Sequence, residues 1–239
     1  MDPDRDSQRF KGDPSVDLVM ELAEPAAADA VVDVGCGVGA MSFALAPVVA
    51  AVTAVDDRQE AIDEARRLTL EVGLGNLEFS LANLYALPFP EASFDLAVCR
   101  NAIHRFAEPA AALREVARVL APGGRLVVYD TVVTAEVDRY LNELARLADS
   151  SHRRHCRPDE FLAQFDKAGL SVVAERDDRR TVDLSYWLEA GAVDADRAAL
   201  IRMRLQELPL KVQTALDLAV ADRSASFSYD VAGFRLERT

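Results

Sequence analysis

In Val31-Val32-Asp33-Val34-Gly35-Cys36-Gly37-Val38-Gly39-Ala40 a short apolar run closes on three glycines at alternate positions, and a helical pattern follows. That order reads as strand, tight loop and helix. Glycine reaches positive φ and, lacking a Cβ, lets a ligand lie against the main chain. The usual occupant of such a loop is a nucleotide-like cofactor.

Gly35-x-Gly37-x-x-Ala40 also fits the loose dinucleotide pattern, and Asp56 follows where that pattern expects its ribose-binding acid. Asp33 discriminates. A carboxylate at the mouth of the loop is not needed by a dinucleotide, whereas S-adenosylmethionine carries a positive amino group and a positive sulfonium. Its own carboxylate can meet amides at a helix N-terminus.

Three further blocks extend the pattern: Val52-Thr53-Ala54-Val55-Asp56, then Leu87-Pro88-Phe89-Pro90-Glu91-Ala92-Ser93-Phe94-Asp95-Leu96-Ala97-Val98, then Leu113-Arg114-Glu115-Val116-Ala117-Arg118-Val119-Leu120-Ala121-Pro122-Gly123-Gly124-Arg125-Leu126. In order and spacing over residues 31 to about 130 the chain resembles the class I S-adenosylmethionine-dependent methyltransferases, in the branch of the ubiquinone and menaquinone biosynthesis enzymes. The resemblance implies methyl transfer to an oxygen, nitrogen or carbon of a small molecule, with S-adenosylhomocysteine as product. A same-fold enzyme that cyclises or decarboxylates, and a non-catalytic binding protein, are the alternatives.

The same resemblance implies the site. Asp33, Gly35, Cys36, Gly37 and Gly39 line the methionine part of the cofactor, Asp56 takes the ribose hydroxyls, and Asp57, Arg58 and Leu84 lie toward the adenine. Where many relatives carry an acid, this chain has Asn83, whose amide changes the pairing offered to the adenine ring. Arg100 completes the cofactor set. Asn101 and His104 follow the fourth strand and face the acceptor, His104 as the candidate general base. Many relatives have a second histidine in that segment, where this chain has Arg105. His155 is a further candidate base, and Tyr140 and His152 are candidate substrate contacts. Tyr140, Phe161, Phe165 and Trp187 read either as an acceptor wall or as core.

Composition narrows the partners. The chain has 239 residues, half of them hydrophobic, enough to bury a large core. Its formal charge of −13 argues against nucleic acid, whose phosphates call for clustered Lys and Arg; Arg153, Arg154 and Arg157 are the visible basic cluster. No apolar run reaches the roughly 20 residues of a membrane helix. The acidic residues 1–6 lack the features of a secretory signal, so a cytoplasmic monomer or homodimer is expected. Cys36, Cys99 and Cys156 are too scattered for a disulfide framework or a cysteine zinc site, and three histidines give no recognisable ligand spacing, so no metal is expected.

Alternating strands and helices predict a doubly wound, mostly parallel seven-stranded sheet. Strands are expected at 31–34, 51–55, 77–81, 95–99 and 125–130, with helices at 14–23, 40–46, 59–72 and 110–120. Past 130 the pattern changes to helices at 135–148, 158–167, 194–208 and 210–221. Strands at 171–175 and 226–236 are expected to pair antiparallel across this helical insertion. The expectation is one methyltransferase domain over 1–239, with a cofactor-binding core at 31–130 and cap segments at 135–157 and 184–222.

Overall fold

The computed structural model describes residues 13–221 and 224–238. The acidic segment 1–6 lies outside the described residues, as does position 222 of the second cap segment.

The chain opens on α1 (Pro14–Ala23), whose start is fixed by local chemistry. Asp13 caps it by accepting from the Ser15 N–H at 2.9 Å, with proline in the first turn. Then alternate β1 (Ala30–Val34), α2 (Ala40–Leu45), β2 (Ala51–Asp56), α3 (Gln59–Val72), β3 (Leu77–Leu81), β4 (Phe94–Arg100), α4 (Pro109–Val119) and β5 (Leu120–Val132). Next come α5 (Asp138–Ala148), α6 (Pro158–Lys167), β6 (Leu170–Asp183), α7 (Leu184–Ala190), α8 (Ala195–Gln206), α9 (Leu210–Ala215), β7 (Ala219–Val220) and β8 (Ala225–Arg238).

Among the described residues the strands form one eight-stranded sheet in the order β3-β2-β1-β4-β5-β8-β6, with β7 paired on β8. The β1–β2, β1–β4, β2–β3 and β4–β5 pairs are parallel, and the C-terminal strands run antiparallel. Strand order therefore reverses beside β1, which is where ligands of open α/β sheets collect. Both faces of the central strands are covered, so they read as apolar runs; in β1 Val31, Val32 and Val34 are all fully buried, and Asp33 alone interrupts them.

Three elements depart from expectation. The extra strand β7 and the early stop of α9 occur together: Asp217 adopts a left-handed φ of 45°, ending the helix before Ala219 and Val220 pair with Ser226 and Ala225. A helical spacing at 210–221 concealed that break. β6 extends to Asp183 rather than ending at Glu175, because its second half alternates half-buried and exposed residues along the sheet edge and carries charges there. Arg179 bonds Asp217 at 2.9 Å and Asp230 at 2.5 Å, and the Thr181 and Ser228 hydroxyls meet at 2.9 Å. Such polar alternation hides an edge strand from a search for apolar runs.

The chain divides into two compact units, one of residues 1–129, 162–176 and 233–239, the other of 130–161 and 177–232. The core of the first is the parallel sheet with its flanking helices. The second has its own core, where Leu141 and Leu144 of α5 meet Leu184, Leu188, Ile201, Leu205 and Phe227. At about 1.5–3 kcal/mol for each large aliphatic side chain buried, that cluster suffices to hold the helices together. Trp187 stacks edge-on against Phe227, ring centres 5.4 Å apart, and Phe161 and Phe165 are fully buried, so these aromatic residues serve as packing. Among the described residues no helix is long and apolar enough to cross a membrane.

Candidate active site

The first unit gathers the sequence-predicted cofactor residues along the carboxyl ends of β1, β2 and β4 and in the loops that follow. Asp33 ends up inside the protein, 1% exposed. The Ser42 hydroxyl donates to its Oδ2 at 2.6 Å, so the strand carboxylate is tied to the first turn of α2. Burial nevertheless dominates and pushes the Asp33 carboxyl up to about 6, against the Ser42 bonds and the pull of Arg100.

The loop between them is held by backbone. Gly35 and Cys36 donate to the Val55 carbonyl at 2.8 and 3.0 Å, tying the loop to β2. Gly35 sits at φ +71°, where a Cβ would fall 2.6 Å from the Ala102 Cβ; Gly39 sits at φ +94°, where one would fall 2.5 Å from the Phe79 ring. Both sites demand glycine on conformation and on space. The Cys36 thiol is pushed far up by burial, reinforced by the Asp33 and Asp56 charges, so it is no nucleophile.

Asp56, 3% exposed, faces the loop from the end of β2. Its Oδ2 accepts the Gly37 N–H at 2.8 Å, and its Oδ1 accepts the Arg58 main-chain N–H at 3.0 Å and the guanidinium Nε at 3.1 Å. One carboxylate thus orients the loop amide and gathers the following turn. Asp57 and Leu84 line the same small pocket. Beside it, Asn83 spends its side-chain oxygen on the Tyr85 N–H at 2.9 Å. Arg100, at the end of β4, donates to Ser15 Oγ at 2.6 Å and to Asp13 Oδ2 at 3.2 Å, which anchors the start of α1. Asn101 takes a left-handed φ of 52° and donates its N–H to the Tyr129 carbonyl, and His104 follows, half-buried, on a short 3-10 turn.

Residues not singled out from sequence complete the pocket. Ala102, Tyr85 and Phe106 line it, the two rings meeting edge-on at 6.3 Å. The Tyr85 hydroxyl accepts the Ala107 N–H at 2.8 Å, joining the loop after β3 to the loop after β4. An aromatic residue in each of two strand-end loops, those after β3 and β4, was the available signal.

The second unit holds Tyr140, His152 and His155. Asn142, 1% exposed, binds His155 on both sides: its Oδ1 accepts the His155 N–H at 2.6 Å and its Nδ2 donates to the His155 carbonyl at 3.1 Å. The same Oδ1 meets His152 Nε2 at 2.9 Å, and the two imidazoles stack with centres 4.3 Å apart. A His155 ring nitrogen and an oxygen of the buried Asp130 lie within 4.8 Å of each other. Arg154 and Arg157, from the basic cluster, turn to Asp138, Asp159 and Glu160. Tyr140 carries the Arg139 guanidinium 4.4 Å above its ring centre.

Comparison with known proteins bears on the family and the fold. Residues 32–128 match the model of a methyltransferase domain family. The chain is 33% identical over 195 residues to YcgJ of Bacillus subtilis (strain 168), an uncharacterized methyltransferase, covering 81% of this chain and 77% of that protein. The crystal structure of YcgJ superposes with a TM-score of 0.87 over 95% of this chain and 99% of its own at 29% identity. A ubiquinone biosynthesis O-methyltransferase of Xanthomonas axonopodis pv. citri (strain 306) is 31% identical, covering 66% of this chain and 68% of that protein. The [4+2]-cyclase SpnF shares the fold at a TM-score of 0.69 and 23% identity, covering 95% of this chain and 81% of its own.

Proposed function

We propose, since this chain belongs to the methyltransferase domain family, that it transfers the methyl group of S-adenosylmethionine to a small-molecule acceptor. The observation that carries the reading is the pairing of Asp56 Oδ2 with the Gly37 N–H at 2.8 Å, beside a loop in which Gly35 and Gly39 exclude any Cβ. That cradle fits the cofactor: a buried anion at Asp33 for a cationic amino acid end, and a carboxylate at Asp56 for a diol.

When bound, the cofactor supplies a methyl carbon activated by positive sulfur, open to in-line displacement. The chain's task is then to align the nucleophile and keep water away. Gly35, Cys36, Gly37 and Gly39 hold the methionine part against the main chain, with Asp33 opposite its positive charge. Asp56 would accept from the ribose hydroxyls, and Arg58 would lie toward the adenine. Asn83, its oxygen engaged by Tyr85, offers its NH2 to an adenine ring nitrogen, with Asp57 and Leu84 beside it. Arg100 acts through the α1 segment that it anchors.

In the second unit Tyr140 and His152 are the candidate acceptor contacts, and in the first Asn101 and His104 are those of the loop after β4. Relatives named as O-methyltransferases favour an oxygen acceptor, which must lose a proton. His155 suits that task better than His152, because Asn142 clamps its main chain on both sides and His152 braces its ring. His104 is the other candidate base.

Calorimetry tests the reading: S-adenosylmethionine and S-adenosylhomocysteine bind at micromolar concentrations, and no heat at millimolar cofactor removes it. Mass spectrometry of the products formed from phenolic acceptors distinguishes methylation, a gain of one methyl group, from the cyclase chemistry for which the SpnF fold stands.

A further inference from the structure

We propose that the face of α5 bearing Arg139, Tyr140 and Arg146 is a binding site for a small organic anion, one presenting phosphate or carboxylate oxygens. The proposal does not depend on the methyl-transfer reading. In the second unit these side chains line a cavity of about 560 Å³, together with Lys211 of α9 and the Asp138–Arg154 pair.

The charges in this cavity run against the rest of the chain, which has 40 acidic and 27 basic side chains. Asp138 is already satisfied: Arg154 donates to its two oxygens at 2.9 and 2.8 Å, and Arg157 adds a longer bond at 3.4 Å. The Arg154 bond, foremost, holds the Asp138 carboxyl below its ordinary range. Glu136 lies 3.7 Å from Lys211, both solvent-exposed, a pairing worth little.

Arg139 and Arg146 have no carboxylate partner among the described residues. Arg139 donates to the Tyr140 hydroxyl at 2.9 Å and stacks on that ring, and Arg146 reaches the Arg153 carbonyl at 3.4 Å. In a chain with so many acids, two arginines left without one beside an open cavity are suited to an anion supplied from outside. Seven residues apart, they lie on one helix face about 10 Å apart along the axis, within reach of one ligand. Arginine's planar fork matches carboxylate and phosphate, and the Tyr140 stacking holds one fork in place beforehand.

The test is calorimetric titration of the full chain with inorganic pyrophosphate and, separately, with citrate, at low and at physiological salt. Saturable one-site binding is expected for at least one probe, weakened by salt and at least tenfold by the Arg139→Gln/Arg146→Gln double variant. Binding of pyrophosphate alone assigns phosphate, and of citrate alone carboxylate. S-adenosylhomocysteine titrates the double variant as it does the native chain, which also verifies its fold. Absence of saturable binding by both probes overturns the proposal, as does equal binding by native and double-variant chains. A native chain that takes up the anion but no S-adenosylhomocysteine counts against the methyl-transfer reading alone.

Discussion

The Ser42 hydroxyl donates to Asp33 at 2.6 Å from the first turn of α2, so a carboxylate on the central strand is held by the helix that its own loop leads into. The bonding from Ser42 does not offset the loss of water, and the carboxyl is pushed up to about 6, chiefly by burial. A carboxyl raised in the folded state favours folding while protonated. Its contribution is present in full below about pH 4 and is lost as pH rises through 6, at most about 3 kcal/mol. Asp33→Asn is expected to flatten the stability curve over that window, read by urea unfolding from pH 4 to 7. In the native chain a cationic ligand requires the ionised form, so S-adenosylmethionine affinity rises from pH 5 to 7 with proton release, measurable by calorimetry in two buffers. The asparagine variant binds weakly at every pH.

Asp56 has a different role, since its two oxygens already orient the Gly37 and Arg58 amides. Asp56→Asn turns one acceptor into a donor facing the Gly37 N–H. A loss of about 10–100-fold in S-adenosylhomocysteine affinity is expected, the scale of one charge-assisted pair. Calorimetry reads it, and an unchanged affinity would remove Asp56 from the ribose position.

Gly39→Ala meets both strain at φ +94° and the Phe79 ring. A destabilisation of about 2–3 kcal/mol is expected, combining the backbone penalty with overpacking. Gly75→Ala is the control, because nothing lies within 4 Å of the added carbon. Denaturant midpoints of the two variants should differ clearly.

Asn142→Ala removes a buried amide that binds the His155 main chain on both sides and the His152 ring. Stranding those groups costs about 2–4 kcal/mol. Histidine ring signals in NMR spectra should shift for both imidazoles, while S-adenosylhomocysteine still binds.

Native thiols are expected to resist alkylation. Burial pushes Cys36 far up and Cys156 up to about 11, and Cys99 is buried. Iodoacetamide at pH 8 should leave the folded chain unlabelled over an hour and add three groups in urea, counted by mass spectrometry.

The parallel half of this fold was legible because its strands are apolar on both faces and its turns carry glycine or proline, signals that survive without tertiary information. Asp33, Asp56 and the glycine loop could be placed at one sheet edge for the same reason. Tyr85 and Phe106 escaped notice because each comes from a loop, and their meeting depends on the spacing of β3 and β4 in the sheet. Asn142 was invisible in another way: a polar residue in α5 reads as solvent-facing until the loop that it binds folds back over it. The polar half of β6 was missed because edge strands do not need apolar alternation.

That edge also governs self-association. Arg176, Asp178, Arg179 and Arg180 lie along β6 at one edge of the sheet, and the three arginines are already committed to acids, Arg176 to Glu21, Arg179 to Asp217 and Asp230, and Arg180 to Asp178. Docking a second copy there would merge the sheets by setting charge against charge and breaking ion pairs before any ladder bond could form. Sheet-to-sheet pairing of two copies, and fibrous stacking, through this rim are therefore disfavoured from the outset.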